Sequence, residues 1–409
     1  MTYKEAIDYI HSTPKFSRIL GNDMLSRLLK KLDNPQNNLK FIHIAGTNGK
    51  GSVSVMLAEI LKLSGYKTGL FISPFIERFN ERISINGDNI SDTDLADTVL
   101  KIKNVIEEND TPVSEFALDT AIAFDYFEKN KCDIVVLETG LGGRLDATNV
   151  IKDSVLSVIT SVGMDHMQYL GDTIEKIAAE KCGIIRENGT VVCGVDVPEN
   201  ALSVVKRFCD EKNARLVRAK TPRILSGGDF EYNGLRYTLG MQGDFQKRNA
   251  ATVISACEVL KDKGFKVSEL NISQGLKNAF NPARFEKLKC GLYIDGAHNY
   301  QAIESLLKEL ADMNVPIFIC LAMMQDKDIK SCVAKISEYG FDVTVTEIDT
   351  ERCASAELLK DEFSKHGIVA NVEKNPIKAA ENVIEKAKNG GIAIAFGSLY
   401  FVGKLRSEM

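Results

Sequence analysis

Apolar, β-branched runs of five or six residues alternate along the chain with longer stretches whose apolar positions recur every three or four residues. Strands covered by helices on both faces are apolar throughout, so this alternation predicts strand–helix units around a largely parallel sheet. Strands are expected over 40–45, 68–73, 133–138, 154–160 and 190–193, and helices over 91–109 and 116–129. Ser91 and Asp94 give the first of these helices a capping pattern at its start. Within 230–239, Asn233-Gly234 predicts a two-residue hairpin turn, and a long helix follows over 245–263. After Asn281-Pro282 the alternation restarts, with strands over 292–295, 316–321, 342–348 and 391–396 and helices over 301–312 and 328–339. The chain is therefore expected to divide into domains 1–282 and 283–409.

Length agrees with that division, because a single core rarely grows beyond ~250–300 residues and this chain has 409, of which 44% are hydrophobic. With 51 Lys+Arg against 56 Asp+Glu the formal net charge is −5, which offers no basic field for nucleic acid or an anionic membrane. No apolar run reaches the ~18–20 residues that span a bilayer, and residues 1–10 lack a signal-peptide core. The expectation is a cytoplasmic monomer acting on small molecules. Nine cysteines include no C-x-x-C pair, so they read as reduced thiols and not as a disulfide frame or zinc site.

Candidate chemistry begins at Gly46-Thr47-Asn48-Gly49-Lys50-Gly51-Ser52, where a strand runs into a glycine-rich turn and then a helix expected over 53–64. Glycines let backbone wrap closely around phosphate oxygens, the helix N-terminus turns its N–H groups toward them, and Lys50 adds a full charge. The spacing is looser than G-x-x-x-x-G-K-[ST]: two residues separate Gly46 from Gly49, and Gly51 precedes Ser52. A triphosphate cradle of this kind works with Mg²⁺, which takes hard oxygen ligands. Glu138 directly follows the apolar run Ile134-Val135-Val136-Leu137, so a buried strand would deliver its carboxylate to the ligand-binding edge of the sheet.

These segments resemble the folylpolyglutamate synthase and dihydrofolate synthase family, ATP-dependent amide ligases akin to the Mur ligases. The resemblance rests on the glycine loop, Ser73-Pro74-Phe75-Ile76-Glu77-Arg78-Phe79-Asn80-Glu81-Arg82, Glu138-Thr139-Gly140-Leu141-Gly142-Gly143-Arg144-Leu145-Asp146-Ala147-Thr148-Asn149, Asp165-His166, Glu180-Lys181-Cys182-Gly183 and Asp295-Gly296-Ala297-His298-Asn299. It implies a P-loop domain like the Mur central domain, a smaller Rossmann-like C-terminal domain, and ligation through an acyl phosphate with ATP, Mg²⁺, a reduced folate and L-glutamate. Lys50 would bind the β/γ-phosphates, Ser52, Ser73 and Glu138 would face Mg²⁺, and His166 would serve a second metal position. Lys181 would be carbamylated, turning a cation into an oxygen ligand; that reaction needs the neutral amine, which burial favours. Asn249 would lie near adenine, and Arg284, Asp295 and His298 would take part in nucleotide binding.

Members with both activities usually carry Ser-Pro-His-Leu, Leu-Gly-Leu-Glu-Arg, Pro-Gly-Arg and Gly-x-His-Gln. This chain has Ser73-Pro74-Phe75-Ile76, Leu20-Gly21-Asn22-Asp23-Met24, Pro282-Ala283-Arg284 and Gly243-Asp244-Phe245-Gln246, and a family Phe-Glu pair is here Phe116-Ala117, with Glu115 alongside. The departures fall where the pterin should sit, which favours folylpolyglutamate synthase over the bifunctional alternative. A P-loop kinase would share Lys50 and Ser52 but gives Lys181 and Asp295 no task. A Mur-type ligase for a non-folate acceptor is the other reading.

Overall fold

A computed structural model of the chain describes residues 1–14, 22–225 and 228–409, so Leu20 and Gly21 of the N-terminal motif lie outside the described residues. Two compact units are present. The first comprises Met1–Gly163, Met167–Gly240 and Gln246–Phe280, and the second Met164–His166, Met241–Phe245 and Asn281–Met409.

The first unit is built on strands β1 (Phe41–Ala45), β2 (Thr68–Phe71), β3 (Ile83–Ile85), β4 (Asp88–Asn89), β5 (Ile134–Glu138), β6 (Leu156–Ser161), β7 (Thr190–Asp196) and β8 (Arg215–Arg218). They form one sheet in the order β4-β3-β2-β5-β1-β6-β7-β8. Six of the strands run parallel, and β3 and β4 add an antiparallel edge. β1 lies between β5 and β6; the chain fills the β5 side first and then crosses to β6, so strand order reverses at β1 and a crevice opens at its carboxyl end, where open α/β sheets bind ligands. All five residues of β1 and of β5 are buried, including His43 and Glu138 among otherwise apolar residues. A small sheet of β9 (Arg223–Ile224), β10 (Asp229–Tyr232) and β11 (Leu235–Thr238) carries the expected hairpin, with Asn233 and Gly234 at positive φ in its turn.

In the second unit, β12 (Glu286–Lys287), β13 (Tyr293–Ile294), β14 (Ile317–Leu321), β15 (Asp342–Val345), β16 (Asn371–Val372) and β17 (Ile392–Phe396) pair in the order β12-β13-β17-β14-β15-β16. The last five are parallel and β12 is antiparallel. Helices Tyr300–Asp312 and Ile329–Ser337 bury Ile303, Leu306, Leu307, Leu310, Val333 and Ile336 in the core around this sheet.

Most differences from the expected elements lie at their ends. Ser91 caps Asp92–Asn109 by accepting from the Asp94 N–H, as expected. The phosphate-loop helix begins at Lys50, three residues before the expected start, and runs to Leu63. Its N-cap Gly49, at φ 82°, reaches a left-handed geometry that glycine adopts without strain. The short strands β3 and β4 carry too few residues for a periodic signal. Among the described residues no helix is long and apolar enough to cross a membrane.

Candidate active site

The glycine loop is stitched to the end of β6. Thr160 and Ser161 hydroxyls both donate to the Asn48 carbonyl, at 2.6 and 3.0 Å, and the Asn48 N–H reaches the Ser161 hydroxyl at 2.9 Å. The Thr47 N–H donates to the Ser161 carbonyl, and the Thr47 hydroxyl bridges to Gly163. Gly46 is required by this packing, since a Cβ there would sit 1.9 Å from Thr160 Oγ1. Lys50 Nζ folds back toward the Gly46 and Thr47 carbonyls at 3.2 and 3.5 Å, and Ser52 is buried in the first helical turn. The loop is thus preformed at the positive end of a 14-residue helix.

Glu138 closes β5 and is 2% exposed. Parallel pairing places it opposite Ile44, two residues before Gly46, and its Oε2 lies 3.4 Å from the Ser73 N–H. A buried carboxylate beside hydroxyl-bearing Ser73 offers hard oxygens of the kind a divalent ion takes. The turn after Glu138 docks on the helix Ile174–Cys182: the Arg144 N–H donates to the Glu180 carbonyl at 2.8 Å. A Cβ on Gly143 would lie 2.8 Å from that carbonyl and 2.9 Å from the Lys181 carbonyl. Lys181, on the last turn of that helix, is 2% exposed. Among the described residues, no three His, Cys, Asp or Glu side chains converge as a metal cluster.

His166 belongs to the second compact unit. It stands at φ 50°, with Nε2 3.8 Å from Asp165 Oδ1. Asp165 is a hub that sequence reasoning left without a role. Its Oδ1 accepts from Lys327 Nζ and its Oδ2 from Asn299 Nδ2, each at 2.9 Å. Burial alone would raise this carboxyl, but His166, Lys327 and His298 hold it well below the usual carboxylate range. His298 donates from Nδ1 to the Gly296 carbonyl at 2.7 Å; burial and the Lys327 charge push the imidazole down to about 4, so it is neutral.

Asp295 is buried, and its two oxygens accept from the Phe285 and Ala297 N–H groups at 2.8 and 2.7 Å. Burial raises this carboxyl, against the nearby Arg284 charge. The helix after it is capped by Asn299, which accepts from the Ala302 N–H. Arg284 crosses Gly296 so closely that a Cβ there would meet its Nη1 at 1.9 Å.

Of the departing residues, Met24, Phe75 and Ala117 lie in the first unit, and Asp244 and Ala283 in the second. Ala117 is part of one apolar core, and Met24, Phe75 and Phe116 pack against it. The Phe116 ring lies where a Cβ on Gly140 would sit, 2.6 Å away, and so reaches the turn that follows Glu138. The Arg82 guanidinium rests over the rings of Phe75 and Phe79, at 5.2 and 5.6 Å, and its Nε lies 3.7 Å from buried Asp119. Neither Arg82 nor Asp119 was singled out by sequence, because the motif that holds Arg82 gives no clue to its partner. Lys327 stands six residues beyond β14, past the buried Ala322-Met323-Met324, so it lacks the strand-end signal that Glu138 carries.

A preformed glycine loop and a buried carboxylate at adjacent strand ends, in a chain with a second doubly wound unit, define a P-loop ligase of the Mur type. Residues 44–257 match the Mur ligase middle domain, and residues 283–399 match the Mur ligase glutamate ligase domain. The chain belongs to the folylpolyglutamate synthase and dihydrofolate synthase family of these ligases. It is 34% identical to the dihydrofolate synthase/folylpolyglutamate synthase of Bacillus subtilis, across all of this chain and 99% of that protein. It is 36% identical to the folylpolyglutamate synthase of Lacticaseibacillus casei, across 82% of this chain and 83% of that one. FolC of E. coli in complex with DHPP and ADP matches at TM-score 0.87 and 26% identity, over 100% of this chain and 97% of that one. The bifunctional enzyme of Yersinia pestis with AMPPNP and a Mn ion also matches at TM-score 0.87 and 26% identity, over 100% and 98%.

Proposed function

We propose that this protein is a folylpolyglutamate synthase, which adds one L-glutamate to a reduced folate that already carries glutamate. The observation that carries the reading is the pairing of Ile44 with Glu138, which sets the Lys50 loop and a buried carboxylate side by side at one sheet edge. Structures of relatives hold ADP, AMPPNP and a Mn ion, which supports ATP and a divalent metal as reactants here. The folate's terminal carboxylate takes the γ-phosphoryl of ATP, giving an acyl phosphate and ADP. Glutamate's amine then attacks the acyl carbon, forming the amide, and phosphate leaves as the amine gives up its proton. For the first step the protein has mainly to position groups and neutralise charge. Lys50 serves the phosphates, and Asn249 serves the base. In the second unit, Arg284, Asp295 and His298 are the proposed nucleotide groups; Asp295 has two backbone donors already, so it also fixes the backbone at 285 and 297.

A divalent ion, which Glu138, Ser52 and Ser73 fit, would neutralise phosphate charge. Lys181 as a carbamate would add oxygen ligands, and His166 is proposed at a second ion. The acceptor reading rests on Met24, Phe75 and Ala117, which differ from the bifunctional pattern and meet at one core. The Bacillus subtilis relative bears both activity names, so the bifunctional enzyme is the second reading.

ADP release measured with tetrahydrofolate, dihydropteroate or neither, each with and without glutamate, tests both. Release that requires tetrahydrofolate and glutamate is expected; equal release with no acceptor would overturn the assignment. Lys50→Ala and Glu138→Ala should abolish ligation while the apo protein keeps its thermal midpoint within a few degrees.

A further inference from the structure

Gln246 and Asn249 lie three residues apart on the helix Asp244–Asp262, and therefore on one face of its first turns. Gln246 is 1% exposed. Its Oε1 accepts from Asn249 Nδ2 at 2.9 Å, while its own Nε2 is buried with no hydrogen-bond partner among the described residues. A methionine or leucine would fill the same volume without burying an unpaired donor, so packing alone does not account for an amide here. Its effect falls on Asn249. A carboxamide has a donor end and an acceptor end, and engaging the donor end leaves Asn249 Oδ1 turned to the glycine loop. There it lies 2.5 Å from where a Cβ on Gly49 would be.

We propose that Gln246 is a positioning residue for base selectivity, locking the Asn249 amide with its oxygen outward so that the site favours a nucleotide whose base presents an N–H donor there. This rests on the reading that Asn249 lies beside the nucleotide base. Adenine carries an exocyclic amine where hypoxanthine and guanine carry an oxygen, so an outward carbonyl accepts from adenine and repels the others. An amide free to turn over would serve either base, and selectivity would fall.

The test uses the full chain and compares kcat/KM for ATP and inosine triphosphate in wild type, Gln246→Met, Gln246→Glu and Asn249→Ala. The wild type should prefer ATP. Gln246→Met should lose roughly tenfold of that preference, with the change in KM and not in kcat. Gln246→Glu still accepts from Asn249 Nδ2 and should keep the preference. Wild-type selectivity in Gln246→Met together with its loss in Asn249→Ala would overturn the role of Gln246 and leave the base contact standing. Unchanged selectivity in Asn249→Ala would overturn the base contact itself, and the proposal with it. If Gln246→Met does not fold, the Gln246→Glu arm decides: loss of preference there overturns the proposal.

Discussion

Ala283 stands at φ 55°, in the left-handed region that a side chain enters only at a cost of ~1–2 kcal/mol. The chain has an Ala where the bifunctional pattern has the glycine of Pro-Gly-Arg, but only the backbone explains that glycine: the Ala283 carbonyl accepts from the Gly296 N–H, and its own N–H donates to Glu286. Ala283→Gly should raise stability, by about 0.5–1 kcal/mol once the added freedom of the unfolded chain is subtracted. Urea unfolding followed by a probe in the second unit would register it as a higher midpoint. Gly46 is the opposite case. Its place in a glycine loop was legible from sequence, while the reason it admits no side chain, the Thr160 hydroxyl at 1.9 Å, required the structure. Gly46→Ala should raise the KM for ATP at least tenfold or so, because the loop must shift from its preformed path. Gly46→Ala combined with Thr160→Ala should recover part of that loss in the same assay.

On the scale of elements, the helix Glu115–Lys129 was predicted to within a residue, because a long, largely apolar run, buried throughout 117–127, exceeds the length of a strand. Its partner was hidden. Glu115 and Asp119 share one face, and Arg82 reaches Asp119 from the turn Phe79–Arg82, a non-local pairing that no local pattern encodes. Burial, reinforced by Glu115 and opposed by Arg82, pushes the Asp119 carboxyl up to about 7. The folded state therefore holds a proton that the unfolded chain releases near ~3.9. Unfolded chains then bind fewer protons than folded ones between those values, so the stability tied to this group is full below the lower value and lost as pH rises toward 7. Asp119→Asn removes the titration. Its urea midpoint should gain on the wild type between about pH 4 and about pH 7; parallel pH profiles for the two proteins would show that Asp119 titrates normally. The same limit explains the helix start at Lys50, since Gly51 reads as a helix breaker until its N-cap neighbour Gly49 is seen in left-handed geometry.

At the scale of the whole molecule, the α/β class was legible because alternating periods report which faces are covered, whereas the meeting of distant segments is a tertiary fact. Positions 24, 75 and 117, each read separately as a departure, converge on one apolar core with Phe116 at its rim against Gly140. Phe116 packs on that core and reaches Gly140, so the core has one wall next to the turn after Glu138. If the wall belongs to the acceptor site, the loss of a Glu at 117 and of a His at 75 removes polar partners for a pterin, while a folate that carries glutamate keeps its contacts elsewhere. A buried polar group left unpaired costs ~1–3 kcal/mol, or roughly 5- to 150-fold in discrimination. The kcat/KM for a tetrahydrofolate should exceed that for dihydropteroate by a factor in this range, measured under the same ATP and glutamate. Values equal within about threefold, less than the smallest loss expected from one unpaired group, would mean that Met24, Phe75 and Ala117 leave the pterin contacts intact and that the enzyme runs both reactions.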